Sequence, residues 1–544
     1  MLLTNLIIVI LSNNDIRSAM TLRRSIIAAT ALALSAHQVA PTPISTRQSD
    51  GATVSASLRG CLAQSGVDLS YPYSPDYGTL DTLQNAAIDA KKPGVFTLPT
   101  SEDEVKKVVK CVADEGGDKQ LSTRSGGHGY AGYALGSKDG WVVVDLKNMN
   151  QVTDVDKDAK TAKVGAGSRL GPMALALAKD GFALPHGTCP SVGTGGHALG
   201  GGYGYTSRAW GYLMDHIVEM RLVKPDGSAV TVNESEEPDL WYALRGAGSN
   251  NYGVVTEFTF KLEDAPAKVV NYGHNYGSDA DCAQVMIAMQ ELTNGAGDDG
   301  WVSDLGGELL VSGESNNGNA PCALNGQFLG SKEDFQKSMA RLNDAIEAKG
   351  VKASKATATE FDSWTDALTD LMGNLSTSTY SPEAYYAKSL LTPTSVRYDE
   401  DSYQAIASAL SAAVDYGTSY SFAFLGPNAA TNRVPSNSSA LVHRNISYIG
   451  QIYMYSFPEN NDDGKQDAAY AAAQKVVDAA KAVDTSALWS GYINYIDPQL
   501  LARGEDWGQF YYGDAVEKLR KIKSTVDPYS ILDFPMGITH AASR

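Results

Sequence analysis

The fold of this chain is decided by a short glycine-rich run, Arg124-Ser125-Gly126-Gly127-His128-Gly129-Tyr130. Glycines between a strand and a turn let backbone N–H groups approach a pyrophosphate closely, because no side chain holds the ligand away. The run has neither the G-x-G-x-x-G dinucleotide pattern before a helix nor a G-K-Ser/Thr phosphate loop, so a nicotinamide Rossmann fold and a nucleotidase are disfavoured. Taken alone, His128 is equally compatible with a turn histidine bonded to the backbone.

A second glycine-rich segment reads Gly187-Thr188-Cys189-Pro190-Ser191-Val192-Gly193-Thr194-Gly195-Gly196-His197, and glycines continue to position 204. Such a density suits neither a helix nor a strand, because each glycine there costs about 0.5–1 kcal/mol relative to alanine. It suits an extended ligand that lies along the backbone. Cys189 alone is equally compatible with a structural disulfide.

The length and the net charge of the chain limit its possible organisation and partners. Its 544 residues, 43% of them hydrophobic, can fill two or more cores, and we expect two packed domains that share a cleft. The 62 acidic and 44 basic side chains give a formal charge of −18. This charge would repel a phosphate backbone, so nucleic acid is not an expected partner.

The amino-terminal residues 1–40 predict a secretion signal, because Arg23 and Arg24 precede an apolar run followed by small residues. That run is shorter than the roughly 20 residues that span a bilayer, so no membrane anchor is expected. Four N-x-Ser sequons agree with export, at Asn233, Asn374, Asn437 and Asn445. In an oxidising compartment an odd number of cysteines needs an explanation. The five are Cys61, Cys111, Cys189, Cys282 and Cys322.

Local patterns predict an α+β layout. Ser101 followed by Glu104 predicts a capping box at the start of a helix, and residues 254–262 predict a strand. From about residue 269, alanine-rich helices at 333–349, 401–414 and 465–483 lie between strands such as 451–457. This alternation is typical of a sheet with helices on one face.

Together with residues 239–248 and 251–256, the two glycine-rich segments resemble the FAD domain of the vanillyl-alcohol-oxidase superfamily. More narrowly, they resemble its berberine-bridge-enzyme-like branch and the fungal oligosaccharide oxidases within it, which act on gluco-, xylo- or chito-oligosaccharides. The resemblance extends from about Cys61 to the carboxyl end. It implies an FAD-binding domain over 55–268, a substrate-binding domain over 269–500, and a segment over 501–544 that returns to the FAD domain.

The resemblance also implies FAD as the cofactor and two covalent attachments for it. In that family the loop histidine bonds the flavin 8α-methyl group and the cysteine bonds carbon 6, which are His128 and Cys189 here. A neutral imidazole and a thiolate are nucleophiles suited to such bonds. The resemblance then pairs Cys61 with Cys111 and leaves Cys282 with Cys322. It places the remaining cofactor contacts at Ser125, Gly126, Gly127, Gly129, Gly193, Gly195, Gly196, His197, Gly253, Val254 and Val255.

The resemblance assigns catalysis to Tyr495 as the base and to Tyr492 as a substrate platform, with Gln451 and Tyr130 as further substrate contacts. If residues 492–495 form a strand, Tyr492 and Tyr495 point to opposite faces unless the segment bends. A phenol with a pKa near 10 needs help to act as a base. The carboxylate that the family supplies is expected in residues 420–426, where this chain has no acid. No metal site is expected, because no carboxylate or cysteine accompanies the histidines at metal spacing.

The resulting functional hypothesis is a secreted, monomeric oxidase. It would convert the anomeric hydroxyl of an oligosaccharide to a lactone while O₂ is reduced to H₂O₂. Two alternatives remain open: an FAD-linked oxidase or dehydrogenase of a secondary metabolite, and a catalytically silent flavin or carbohydrate binder. Aromatic residues of the second domain suit stacking against sugars. They are Trp301, Trp364, Tyr385, Tyr386, Tyr453 and Tyr455.

Overall fold

A computed structural model of the chain describes residues 54–88, 91–116, 120–295, 300–313 and 320–541. The predicted secretion signal at 1–40 lies outside the described residues. The α-helices are α1 (Ala56–Ser65), α2 (Tyr77–Leu80), α3 (Glu102–Glu115), α4 (Leu170–Ala178), α5 (Thr194–Leu199), α6 (Ser207–Trp210), α7 (Pro238–Ala247), α8 (Asp279–Asn294), α9 (Lys332–Glu347), α10 (Trp364–Met372), α11 (Glu400–Ser411), α12 (Ala430–Arg433), α13 (Lys465–Lys481), α14 (Pro498–Ala502), α15 (Trp507–Tyr512) and α16 (Val516–Val526).

The strands before residue 265 form a four-stranded sheet, a five-stranded sheet and a two-stranded ribbon. In the first sheet, β1 (Asp68–Ser70), β2 (Val95–Leu98), β3 (Leu121–Arg124) and β4 (Val142–Asp145) lie in the order β1-β2-β4-β3. The second is antiparallel, in the order β5-β6-β10-β8-β9. Its strands and those of the ribbon are β5 (Val152–Asp156), β6 (Thr161–Gly165), β7 (Phe182–Ala183), β8 (Ile217–Val223), β9 (Ala229–Val232), β10 (Val254–Lys261) and β11 (Glu263–Asp264), with β7 and β11 forming the ribbon.

The strands after residue 268 form one seven-stranded antiparallel sheet, in the order β15-β12-β14-β13-β17-β18-β16. Its register places Glu308 of β13 opposite Ala423 of β17, and Ser421 of β17 opposite Gln451 of β18. The strands are β12 (Val269–Tyr276), β13 (Leu305–Val311), β14 (Cys322–Leu329), β15 (Lys355–Phe361), β16 (Tyr386–Pro393), β17 (Thr418–Phe424) and β18 (Ile446–Met454).

One face of the seven-stranded sheet is covered by α8, α9, α11 and α13, which share a core with Leu309, Tyr420 and Phe422 of its strands. This confirms the predicted sheet with helices on one face. The predicted helices at 333–349, 401–414 and 465–483 are α9, α11 and α13, each ending slightly earlier than predicted. Helix α10 lies instead on the opposite face of β12, where the Asn271 side chain donates to the Ala367 carbonyl.

The start of α3 corrects the predicted capping box. Ser101 is the N-cap, and its hydroxyl accepts from the Glu104 N–H at 3.3 Å. The Glu104 carboxylate does not return this bond to Ser101, because it accepts from the Thr100 N–H at 2.7 Å instead. The predicted hydrogen bond from the Ser101 N–H to the Glu104 carboxylate is therefore wrong. The acidic residues of the first turn still stabilise α3, because negative charge is favourable at the amino-terminal end of the helix dipole.

The carboxyl-terminal segment packs into the apolar core of the sheets that precede residue 265. This core contains Leu58 and Val144 as well as Leu519 and Met536. The buried Lys523 ammonium donates to the Asn251 carbonyl and to Asp527, and so connects α16 to the approach to β10. Disulfides join Cys61 to Cys111 and Cys282 to Cys322, as predicted. Among the described helices, none has the length and apolar character needed to cross a membrane.

Candidate active site

A cavity of about 580 Å³ lies where the glycine-rich segments meet the seven-stranded sheet and the turn near residue 495. The predicted site residues that line it are Ser125, Gly126, Gly127, His128, Gly129, Tyr130, Cys189, Gly193, Gly195, Gly196, His197, Gly253, Val255, Gln451, Tyr492 and Tyr495. Val254 does not line it, because its side chain is buried in the core beneath. The fold thus brings together residues that are hundreds of positions apart in the sequence.

The two glycine-rich segments pack directly on each other. A Cβ on Gly126 would lie 2.2 Å from the Gly193 nitrogen, so only glycine allows this approach. The Ser125 hydroxyl adds a bridge, because it donates to the Ala166 carbonyl at 2.6 Å and accepts from the Gly195 N–H at 3.2 Å. One role of these glycines is therefore to let the two segments pack against each other.

Other glycines leave room for a ligand. A Cβ on Gly129 or Gly196 would meet nothing within 4 Å, although both residues line the cavity. Side chains at these positions would take up cavity space that a dinucleotide needs. The volume lies within the roughly 300–1,000 Å³ of small-molecule sites. The residues present therefore fit an FAD that lies along both segments.

His128 and Cys189 face the same part of the cavity. The His128 Nε2 lies 3.1 Å from the Ser191 hydroxyl, and the Cys189 sulfur lies 3.7 Å from the same oxygen. Burial, with Arg169 nearby, lowers the pKa of His128 to about 4, so the imidazole is neutral above that pH. Cys189 is exposed and is not part of a disulfide. Both side chains are thus placed at the cavity, and the neutral His128 imidazole is in the form that a nucleophile requires.

The segment that carries Tyr492 and Tyr495 is a turn and not a strand. Ile493–Tyr495 is a 3₁₀-helix, closed by a hydrogen bond from the Tyr495 N–H to the Tyr492 carbonyl at 2.9 Å. The bend brings the two rings edge to face at 5.2 Å, and both line the cavity. The Tyr492 hydroxyl accepts from the Gly202 N–H at 2.7 Å, which fixes this ring against the second glycine-rich segment.

Tyr495 sits in a cluster of phenols. Its hydroxyl lies 2.7 Å from that of Tyr203, and its ring stacks on Tyr130 at 5.0 Å. The Gln451 amide donates to the Tyr130 hydroxyl at 2.5 Å, so two predicted substrate contacts touch each other. Burial, and then the neighbouring Tyr203 hydroxyl, raise the pKa of Tyr495 well above its usual value near 10. The resting phenol is therefore neutral.

Tyr203 was missed by the sequence reasoning, although an aromatic residue within a glycine run was a usable signal. Glu308 was missed as well. It is a lone acid in the apolar strand β13, and buried charges are rare unless they are paired. Its carboxylate accepts from the Tyr205 hydroxyl at 2.9 Å. Burial raises the pKa of Glu308, and the Ser421 and Tyr205 hydroxyls oppose the rise.

The aromatic residues named for sugar stacking divide into two groups. Tyr385, Tyr453 and Tyr455 line the cavity, and Tyr385 stacks on Tyr453 at 5.0 Å. The other three are buried among apolar side chains and do not line it. These are Trp301, Trp364 and Tyr386.

Two protein families match the chain. A family described as an FAD binding domain matches residues 93–233, and one described as berberine and berberine like matches residues 491–539. These ranges contain His128, Cys189, Tyr203, Tyr492 and Tyr495. The cavity therefore forms between the two matched regions and the sheet that separates them along the chain.

Several characterised fungal proteins are similar over most of their length. The xylooligosaccharide oxidase of Thermothelomyces thermophilus is 31% identical over 89% of this chain and 95% of its own. The glucooligosaccharide oxidase of Sarocladium strictum is 30% identical over 87% and 93%. The FAD-linked oxidoreductase sorD of Penicillium rubens is 29% identical over 85% and 93%.

A solved structure of a related oxidase has a similar fold. A glucooligosaccharide oxidase from Acremonium strictum, described with a 6-S-cysteinyl, 8α-N1-histidyl FAD, matches with a TM-score of 0.79 and 27% identity. The match covers 90% of this chain and all of that one. Fold, cavity and sequence similarity along nearly the whole chain lead to the same assignment. The chain belongs to the berberine-bridge-enzyme-like family of FAD-dependent oxidoreductases.

Proposed function

We propose that this protein is a secreted oxidase that converts the anomeric hydroxyl of an oligosaccharide to a lactone and passes the electrons to O₂, giving H₂O₂. The observation that carries this proposal is the Tyr495–Tyr203 phenol pair at 2.7 Å, placed between the glycine-rich segments and the sheet. Bound FAD supplies a two-electron acceptor. The protein must then bind a sugar beside it and remove one proton.

Proton removal falls to Tyr495. An alcohol carbon gives up hydride readily only if the hydroxyl proton leaves in the same step, so a base must contact that hydroxyl. Tyr495 acts in its phenolate form, after its own proton has passed to solvent through the cavity, and Tyr203 lies where it can donate to the phenolate oxygen. A neutral Tyr203 that donates this bond stabilises negative charge on Tyr495 and offsets part of the cost of burial, whereas negative charge on Tyr203 itself raises the Tyr495 pKa. We propose that the two phenols act together as the base.

The face of the seven-stranded sheet that points away from the helices supports a sugar substrate. On β17, Tyr420 and Phe422 point to the helices, so Ser419 and Ser421 point to the opposite face. Gln451 of β18 lies opposite Ser421 and reaches the cavity. Such a row of hydroxyl and amide groups matches the hydroxyls of an extended sugar. We propose residues 269–500 as the substrate domain and 55–268, with 501–544, as the FAD domain.

The test is H₂O₂ release during incubation of the purified protein with cello-, xylo- and chito-oligosaccharides in air. We expect H₂O₂ and the corresponding aldonic acid in equal amounts, because each lactone formed yields two electrons. The similarity to sorD favours one alternative, a secondary-metabolite substrate. Fast reoxidation of the reduced flavin by O₂, without turnover of any of the three sugar series, would support that alternative.

We propose that FAD is bound through both His128 and Cys189. Their positions on one cavity wall support this, and the related oxidase carries a flavin described with both kinds of bond. Peptide mass spectrometry should find one flavin joining the His128 and Cys189 peptides. In His128→Ala the flavin should remain on Cys189 alone, and in Cys189→Ser on His128 alone. Flavin on neither peptide in the wild type would contradict the proposal.

We propose that Glu308 supplies the carboxylate that residues 420–426 lack. It lies opposite Ala423 on the neighbouring strand, and its negative charge raises the pKa of both Tyr203 and Tyr495, so its role is not to stabilise a phenolate. As hydride leaves, positive charge develops on the anomeric carbon, and a nearby carboxylate stabilises that charge.

Glu308→Gln should lower kcat/KM about 10- to 100-fold. Because the pKa of Glu308 is raised, wild-type kcat/KM should fall as the pH drops through a value above the ordinary range of a glutamate. Gln cannot titrate, so this acidic limb should disappear in the variant. A pH profile of kcat/KM checks both effects, with the exposed Glu347→Gln as control. An unchanged acidic limb would rule out this role.

Secretion is proposed on the amino-terminal signal and on the sequons, of which Asn374, Asn437 and Asn445 are exposed in the folded chain. We also propose that the protein acts as a monomer. Detection of glycosylated protein in the culture medium, with a mass in solution near one chain, checks both statements.

A further inference from the structure

Ser191 stands between the two side chains that face the flavin site. Its hydroxyl oxygen lies 3.1 Å from the His128 Nε2 and 3.7 Å from the Cys189 sulfur. The residue is 5% exposed and lies two positions after Cys189. One hydroxyl group therefore contacts both proposed attachment points.

The position of this hydroxyl is fixed by the backbone around it. The Arg169 guanidinium donates to the Ser191 carbonyl at 3.1 Å. The Leu170 N–H donates to the Val192 carbonyl and the Gly171 N–H to the Pro190 carbonyl, both at 3.0 Å. Bonds on both sides of residue 191 hold the segment to the start of α4. The backbone around Ser191 is therefore held in place by the fold, and this places its hydroxyl against His128 and Cys189.

These contacts select the reactive nitrogen of His128. A neutral imidazole carries one N–H, and the partner of one nitrogen decides which nitrogen keeps its lone pair. Within the described residues, the His128 ring makes its hydrogen bond through Nε2 and none through Nδ1. With Nε2–H donating to Ser191, Nδ1 retains a free lone pair. The Ser191 hydroxyl is then free to donate its proton to the Cys189 sulfur, 3.7 Å away.

We propose that Ser191 is the positioning residue for both covalent attachments, because it holds His128 in the Nε2–H tautomer and hydrogen-bonds the Cys189 sulfur. This rests on the proposed double attachment of FAD. In the first reaction an Nδ1–carbon bond forms at the flavin methyl group, which loses one proton while the imidazole releases another through Nε2. In the second, a sulfur–carbon bond replaces the thiol S–H and a ring C–H. Each bond leaves two electrons on the flavin, and O₂ removes them as H₂O₂.

Thr and Val substitutions at position 191 give a matched pair, because they differ mainly by a hydroxyl in place of a methyl group. In Ser191→Thr we expect both flavin bonds at close to the wild-type level. In Ser191→Val the fraction of chains that carry both bonds should fall about tenfold or more, because attachment slows by about 10²-fold, the low end of a general acid–base contribution. Flavin-peptide mass spectrometry measures this fraction. Flavin released by acid precipitation should rise correspondingly.

The outcomes separate this proposal from the one on which it rests. Doubly bonded flavin in the wild type, retained in Ser191→Thr and lost in Ser191→Val at an unchanged unfolding temperature, supports the role of the hydroxyl. Wild-type levels of both bonds in Ser191→Val would overturn that role and leave the double attachment standing. A wild-type protein without both bonds would overturn the double attachment and, with it, the role of Ser191.

Discussion

Tyr495→Phe will lower kcat for sugar oxidation by about 10²- to 10⁴-fold, the usual contribution of a positioned general base. The substitution removes the phenol oxygen that lies 2.7 Å from Tyr203 and keeps the ring that stacks on Tyr130. Sugar binding and flavin content should therefore change little. The loss should appear in kcat and in kcat/KM alike, because the missing contact is made in the transition state.

Rapid-reaction measurement of flavin reduction by the sugar tests this expectation without interference from O₂. Tyr203→Phe should show a smaller loss, because the base survives and only its hydrogen-bond donor is removed. Tyr529→Phe is the matched control, since Tyr529 is 85% exposed and lies outside the cavity. A Tyr495→Phe protein that reduces its flavin at the wild-type rate would assign the base to another residue.

Lys388→Met will destabilise the protein by about 3–5 kcal/mol, because it removes the nearer cation of a buried carboxylate and leaves only Arg503, at 3.9 Å. The Lys388 ammonium lies 3.0 Å from Asp497, and the two side chains are 5% and 2% exposed. Asp497 also accepts from the Tyr386 hydroxyl and from the Gln499 N–H, where it caps α14. The pair thus holds the turn after Tyr495 against β16.

The midpoint of unfolding in guanidinium chloride measures this effect. Lys388→Met combined with Asp497→Asn should recover part of the loss, because no charge is then buried alone and the amide oxygen still accepts hydrogen bonds. The exposed Lys349→Met is the control for the loss of a lysine. A single variant as stable as the wild type would show that water or a rearranged Arg503 compensates the carboxylate.

The positions of His128, Cys189 and the glycine-rich segments at the cavity could be predicted because their signal is local. Glycine spacing around His128 and Cys189 reports a backbone that must approach a ligand or another backbone. The helices that cover the seven-stranded sheet could be predicted for the same reason, because their alanine-rich composition is a local signal. Residues such as Gly126 could be named without knowledge of their partner at Gly193, because the restriction acts on each position separately.

Contacts between distant strands could not be predicted in the same way. Glu308 lies close enough to act electrostatically on Tyr203 and Tyr495 because β13 pairs with β17, a register that no spacing in the sequence reports. The bend at Tyr495 depends on bonds from Tyr511 and Asp497, which come from packing and not from local preference. Tyr385 and Tyr386 show a further limit. Neighbours on a strand face opposite sides, and composition cannot say which of the two lines the cavity.

The return of the carboxyl-terminal segment to the core of the sheets that precede residue 265 has a consequence for synthesis on the ribosome. Leu58 and Met536 belong to one apolar cluster, so this cluster cannot close until the seven-stranded sheet has already been made. Synthesis proceeds from the amino terminus at about 5–20 residues per second, which leaves the glycine-rich segments without their far wall for tens of seconds. Cofactor capture should therefore wait until the nascent polypeptide is nearly complete, and we expect chains that stop early not to retain the flavin.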